Sequence, residues 1–220
     1  MSRPIRHEKP YIVVFCEGES EEVYANFLRK EFKNVASIKV KCSNSTSLFE
    51  DADSRFKKDK AYRDYAEVTD EIWFFFDVEM KDIDSWDARI KIIKRLRSLR
   101  RKPNIKVRLL MTTGCIEYWF MLHYEMYVPT IQTVAEKQRV LNRLLTKEPN
   151  YKKGDVNTTE KIAQNYPVAV ENARQTVSNL LQQGLPTLED TDERNRWLCQ
   201  KCFTFSTVYE AIDFLSSISK

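Results

Sequence analysis

The feature that most constrains the fold is a short apolar run that ends in acids. Tyr11–Phe15 holds five consecutive apolar residues, all β-branched or aromatic, which is typical of a strand buried on both faces. Gly18 ends the run, and Ser20 can cap a helix whose first turn is acidic. We therefore expect Glu17 at the carboxyl end of a central strand, where open α/β sheets keep their ligand crevice.

A second apolar run, Ile72–Phe76, also leads into acids, Asp77 and Glu79. Residues two apart in an extended chain point the same way. If the two strands are parallel neighbours, Glu17, Asp77 and Glu79 converge at one edge of the sheet. Carboxylates suit a hard cation such as Mg²⁺ or Mn²⁺, and a cation held there would assist phosphodiester cleavage. The alternative is that these acids only start helices or support the fold.

Strand patterns alternate with helix patterns in the first half of the chain, which predicts a mostly parallel four-stranded α/β sheet flanked by helices. The predicted strands are 11–15, 36–41, 72–76 and 105–111, and the predicted helices are 20–32, 48–66, 82–102 and 115–125. The second half predicts helices over 131–145, 159–165, 168–183 and 206–217, with loops over 148–156 and 184–193. We expect an α/β domain over 1–128 and a helical region over 129–220 packed on the same core.

Composition excludes several classes of protein. The apolar run Ile72–Phe76 is too short for a bilayer, and the first ten residues are mostly polar and charged, so we expect a soluble, cytoplasmic protein. Five cysteines form no paired framework, which fits a reducing compartment. The single CxxC at 199–202 has no second ligand pair, and the chain has only two histidines, which disfavours a zinc site.

A basic stretch from Arg89 to Arg108 contains ten Lys and Arg residues and no acid. Such a local field favours an anionic partner, and we predict that it contacts nucleic-acid phosphates. The alternative is an ordinary solvated face of an amphipathic helix. The candidate contacts are Arg89, Lys91, Lys94, Arg95, Arg97, Arg100, Arg101 and Lys102.

Five motifs resemble those of RloB/AbiLii-type proteins and together cover most of the chain. The opening motif, Phe15–Glu21 with Tyr24 and Phe27, is similar to an apolar-CEGxxTE…YF pattern. The others are Asp77–Glu79, similar to a strand-end acidic pair; Cys115–Tyr124, similar to P-x-FE-x-W-apolar-apolar-H-[FY]; the Y-x-K of Tyr151 and Lys153; and Phe205–Val208, similar to S-T-x-[VI].

This resemblance implies a Toprim-like fold and an Mg²⁺-dependent nuclease of bacterial phage defence, encoded beside an ATPase of the SMC/ABC type. It makes Glu17 a general acid/base or metal ligand, Asp77 and Glu79 metal ligands, and Lys153 a group that stabilises phosphate charge. Three departures are Glu79 where Asp is common, Ser20 in place of Thr, and Thr113-Gly114 in place of Asn-Pro.

Several alternatives stay open from the sequence alone. Glu117 completes a metal shell or only starts a helix, and His123 is either catalytic or a core histidine. The substrate is RNA, such as tRNA, or DNA. A competing interpretation is a non-catalytic adaptor that binds nucleic acid and an ATPase. A nucleotidyl or small-phosphate enzyme lacks support, because the chain has no P-loop or GxGxxG motif.

Overall fold

The fold is built on a parallel sheet of four strands. The computed structural model describes residues 9–43, 47–100, 103–201 and 203–219. The strands are β1 (Tyr11–Cys16), β2 (Ser37–Cys42), β3 (Thr69–Val78) and β4 (Lys106–Thr113), in the spatial order β2-β1-β3-β4. All neighbours pair in parallel, so the four carboxyl ends lie at one edge. This confirms the predicted α/β fold class and the approximate positions of all four strands.

Helices cover the sheet and form the second half of the chain. They are α1 (Glu19–Glu31), α2 (Leu48–Lys58), α3 (Lys60–Ala66), α4 (Trp86–Arg97), α5 (Ile116–Leu122), α6 (Val134–Lys147), α7 (Val156–Ala163), α8 (Tyr166–Asn179), α9 (Asp192–Lys201) and α10 (Tyr209–Ser217). Two 3₁₀-helical segments are also present: Met80–Ser85 lies between β3 and α4, and Leu180–Gln183 follows α8. One continuous hydrophobic cluster extends from Ile12 in β1 to Leu215 in α10, so both halves of the chain share a core.

Three helices differ from the sequence-based expectation. The predicted helix over 48–66 is broken at Asp59, whose backbone is extended. The Asp59 side chain caps α3, because its Oδ1 accepts a hydrogen bond from the Ala61 N–H at 2.8 Å. The predicted helix over 82–102 begins as a 3₁₀ segment and ends as α4 at Arg97. The third, α9, was not predicted: its first two residues were expected in a loop, and no helix was expected over the rest. Thr191 caps it by accepting the Arg194 N–H at 3.2 Å.

The segment 205–207 covers the outer edge of β4. Thr113 N–H donates to the Phe205 carbonyl at 3.1 Å, and Thr207 N–H donates to the Met111 carbonyl at 2.8 Å. The Thr207 hydroxyl also accepts from the Met111 N–H and donates to the Leu109 carbonyl. This segment, singled out by its S-T-x-V pattern, therefore satisfies backbone groups that an edge strand would expose.

Two further features bear on the exclusions drawn from composition. Within the described part of the chain, no helix combines the length and apolarity needed to cross a membrane. The thiols of Cys16, Cys42 and Cys115 are free, whereas Cys202 lies outside the described residues.

Candidate metal and catalytic site

The carboxyl ends of the central strands β1 and β3 bring Glu17 and Asp77 together. The two strands pair with Cys16 opposite Phe75, and Glu17 N–H donates to the Phe75 carbonyl at 3.0 Å. Two residues beyond Phe75, the Asp77 N–H donates to Oε2 of Glu17 at 3.1 Å. Parallel pairing of neighbouring strands thus places the two acids side by side.

These acids line a cleft of about 370 Å³, here called the acid cleft. Burial, with the charges of Glu21, Glu17 and Glu117, raises the pKa of Asp77 well above its ordinary value. Oδ1 of Asp77 is buried and has no hydrogen-bond partner among the described residues. A buried carboxylate oxygen without a donor is costly, and a bound cation would offset that cost. The residues that line the cleft are Glu17, Gly18, Glu19, Ser20, Glu21, Asp77, Ile116 and Lys153.

Glu21 is an acid that reasoning from the sequence overlooked. It lies in the first turn of α1 and is buried, whereas the sequence suggested an ordinary helix-starting acid. Burial and the charges of Glu17 and Glu117 raise its pKa from 4.5 to about 7. Two signals pointed to it: it closes the opening motif, and it follows Glu17 by four residues.

Glu117 at the start of α5 joins the same group of acids. Its side chain is 1% exposed, and its Oε1 accepts a hydrogen bond from the Tyr151 hydroxyl at 3.1 Å. The Lys153 ammonium lies 3.5 Å from the same oxygen. We call Glu17, Glu21, Asp77 and Glu117 the acid cluster, because each of the other three raises the pKa of Asp77.

Glu79 does not line the acid cleft. Strand β3 ends at Val78, so the alternation that would align Glu79 with Asp77 stops one residue too early. Its carboxylate forms an ion pair with Lys137 of α6, and it is absent from the acid cleft lining. The structure does not bring Glu79 to the other acids, and its role as a metal ligand stays a prediction.

His123 is buried in the core beside α1. Its Nδ1 lies 2.9 Å from the Trp119 carbonyl, which only accepts, so Nδ1 carries the proton and Nε2 accepts from the Tyr24 hydroxyl at 3.1 Å. Burial lowers the pKa of His123 to about 4. The ring is neutral and both nitrogens are engaged. These contacts correspond to the core histidine considered from the sequence and give no support to a catalytic role.

Most arginines of the basic stretch are engaged within the protein. Arg89 stacks its guanidinium over the rings of Phe49 and Phe76, at 5.2 and 5.1 Å from their centroids. Arg97 forms a two-pronged pair with Asp192 at 3.0 and 2.8 Å, and Arg95 and Arg100 pair with Asp53 and Asp70. Lys91 and Lys94 are exposed and, among the described residues, form no ion pair, whereas Arg101 and Lys102 lie outside those residues.

Whether the acid cleft fits a metal ion depends on its donors. The described residues contain no set of three or more His, Cys, Asp or Glu side chains arranged as a metal site. Mg²⁺, however, is commonly held by one or two carboxylates together with waters and substrate phosphates. Glu17 and Asp77, with the unpartnered Oδ1, supply such hard oxygen donors at one edge. The residues present fit an ion completed by substrate.

Comparison with known proteins identifies the family to which the chain belongs. No curated protein matches the chain. The model of the family described as RloB-like protein matches residues 12–215, a span that includes nearly all of the chain from β1 to α10. The chain therefore belongs to the RloB-like protein family.

Proposed function

We propose that this chain is a metal-dependent nuclease that hydrolyses phosphodiester bonds of RNA, for example tRNA, or DNA. The observation that carries the proposal is the meeting of Glu17 and Asp77 at the carboxyl edge of β1 and β3, with a buried Asp77 oxygen that has no hydrogen-bond partner among the described residues. That edge is where open α/β sheets bind ligands.

Each residue of the acid cleft has a task in this proposal. Glu17 and Asp77 would hold Mg²⁺ or Mn²⁺, which when bound polarises a phosphate and activates water. Glu21, with a pKa of about 7, can accept or donate a proton at neutral pH, so it is a candidate general acid/base in addition to Glu17. Lys153 at the rim of the cleft would attract the phosphate.

The biological setting of the proposal comes from the family. By resemblance to RloB-type proteins, we propose an effector of bacterial antiviral defence that acts in the cytoplasm with an ATPase of the SMC/ABC type. Lys91 and Lys94 are exposed cations of the basic stretch, and they are the candidates for contact with the nucleic-acid backbone.

A second candidate is a non-catalytic adaptor that binds an ATPase and nucleic acid. One observation favours it: within the described residues no set of three metal-ligating side chains is preformed. In an adaptor, the acid cluster would instead receive a basic group of the partner.

Metal binding distinguishes the two candidates. Calorimetry with Mn²⁺ and Mg²⁺ would compare the wild type with Glu17→Gln and Asp77→Asn. We expect micromolar to millimolar binding to the wild type and loss of at least about tenfold in affinity in each variant, because each removes one of two carboxylate ligands. Glu79→Gln is the control, and it should bind metal like the wild type, because Glu79 pairs with Lys137 instead of lining the cleft.

Substrate cleavage would be assayed next, on tRNA and on single- and double-stranded DNA, with each metal. Cleavage that requires Glu17 and Asp77 supports the nuclease. Absence of metal binding to the wild type, with and without a phosphate-containing oligonucleotide, would contradict it and favour the adaptor.

A further inference from the structure

The loop between α6 and α7 holds one lysine against the acid cluster. Residue Lys153 lines the acid cleft together with Glu17, Glu21 and Asp77, and its ammonium lies 3.5 Å from the buried Glu117. Lys153 is the sole basic residue among those that line the cleft in the described part of the chain. The four carboxylates thus share this one lining cation.

The loop is fixed on both sides of this lysine. Before it, the buried Tyr151 donates its hydroxyl to Glu117 at 3.1 Å and packs edge-on against Phe120. After it, the Gly154 N–H donates to the Ser20 hydroxyl at 3.0 Å at the start of α1. Gly154 has φ +73°, and a Cβ there would lie 2.8 Å from a Glu19 carboxylate oxygen. Glycine accommodates both the positive φ and the close contact with Glu19. The loop therefore approaches the cleft more closely here than a residue with a side chain would allow.

Lys153 itself keeps freedom to move. Its side chain is 67% exposed although the loop backbone on either side is anchored. The ammonium can therefore leave the acids by rotation of its side chain alone, without movement of the loop. An exposed ammonium on a flexible stem is a weak and exchangeable counter-ion compared with a divalent cation.

We propose that Lys153 is the built-in counter-ion of the acid cluster, which it stabilises in the metal-free chain and from which a divalent cation displaces it. This inference rests on the proposed function, since it concerns the same cleft. The displaced ammonium remains at the rim, where it can contact the phosphate of an incoming nucleic acid. Metal and phosphate then bind in a coupled manner, because the metal frees the ammonium that the phosphate requires.

The test uses divalent-cation binding, which needs no substrate or activity. In Lys153→Met, Mn²⁺ no longer competes with the ammonium, and we expect calorimetry to show about threefold to fivefold tighter binding than in the wild type. Without metal the variant should unfold at a lower temperature than the wild type, and Mn²⁺ should raise its Tm by more. Lys153→Arg keeps the charge and should resemble the wild type in both measurements.

Lys152→Met is the matched control, because it removes the same charge from the adjacent exposed residue, which does not line the cleft. Its Mn²⁺ affinity should equal that of the wild type. Equal or weaker binding in Lys153→Met would overturn the inference while leaving the metal site in place. Absence of Mn²⁺ binding in all four proteins, with or without a phosphate-containing oligonucleotide, would overturn the proposed metal site and the inference together.

Discussion

Two clusters of buried charge differ in how completely their members are paired. The first surrounds Arg194 of α9, which is 1% exposed. Its guanidinium donates to both carboxylate oxygens of Glu210, to Asp190, to Asn195 and to the Leu188 carbonyl at 2.5–3.4 Å. Asn195 in turn donates to Asp190 at 2.8 Å. One cation at the centre pairs with two acids, and its nitrogens are all engaged.

The acid cluster has the opposite balance. Four carboxylates face one mostly exposed lysine, and the buried Oδ1 of Asp77 has no hydrogen-bond partner among the described residues. Burial and, after it, like charges raise the pKa values of Asp77 and Glu21, so the folded protein holds protons there that an unfolded chain would release.

Under the proposed function, the contrast is one between a structural cluster and a ligand-binding one. A buried charge network that satisfies its own members stabilises one arrangement of the chain, and removal of any member is costly. A cluster that leaves charge and an oxygen uncompensated lowers stability until a ligand completes it. The second kind persists only where the surrounding fold is stable enough to hold it.

The largest expected effect on stability comes from a substitution that breaks the cluster around Arg194. Arg194→Met removes the central cation and leaves the half-buried acids Glu210 and Asp190 without a countercharge, so we expect a loss of about 3–5 kcal/mol in the free energy of unfolding. Chemical denaturation would measure it. Arg174→Met is the control: Arg174 pairs with Asp213 at 2.9 Å on the surface and is 45% exposed, so its removal should cost less than about 1 kcal/mol. Equal effects of the two substitutions would show that the buried network is no stronger than a surface ion pair.

The next largest effect is a gain in stability, and it concerns the acid cluster in the absence of metal. Between pH 4.5 and about 7 the folded protein binds a proton at Glu21 that the unfolded chain has released, so this group lowers stability as pH rises through that window. Glu21→Gln abolishes the effect. At pH 8 the variant should be more stable than the wild type by up to about 3 kcal/mol, and at about pH 4 this difference should vanish.

Thermal unfolding in the presence of a chelator, from about pH 4 to about pH 8, would record both curves. The control is Glu31→Gln, which removes an exposed acid from the far end of the same helix, and its curve should follow the wild type. A Glu21→Gln variant that is less stable than the wild type at the alkaline end would show that Glu21 is a satisfied structural acid.

The smallest effect concerns the basic stretch, where paired arginines and exposed lysines lie on one helix. Lys91→Ala with Lys94→Ala should leave stability within about 0.5 kcal/mol of the wild type, because both side chains are exposed. If these lysines bind phosphates, the slope of log affinity against log salt should fall by about 1 for each lysine–phosphate pair that the substitutions remove. Fluorescence anisotropy with labelled RNA and DNA measures that slope.

Lys30→Ala with Lys33→Ala is the control, since these exposed lysines lie at and beyond the end of α1 that points away from the acid cleft. It should keep the wild-type slope. An unchanged slope in the Lys91 and Lys94 variant would place the nucleic-acid contact elsewhere.

Local sequence was sufficient for the framework of this protein. Apolar runs of five residues, each followed by acids or Gly, predicted the central strands, because a strand buried on both faces needs an uninterrupted apolar sequence. The same runs predicted that Glu17 and Asp77 would leave the sheet at one edge, since alternating strands and helices favour a mostly parallel sheet. The motifs led to the family that the match over residues 12–215 confirms.

Tertiary structure decided which charged side chains meet. Glu79 pairs with Lys137 of α6, and the basic stretch finds acids from distant segments, such as Asp192 of α9 for Arg97. Glu21 is buried among the other acids by the packing of α1 on the sheet. Such pairings join residues far apart in the chain, and a local pattern carries no information about them. The sequence therefore determined the edge where the site lies, and only the packing of the helices determined its members.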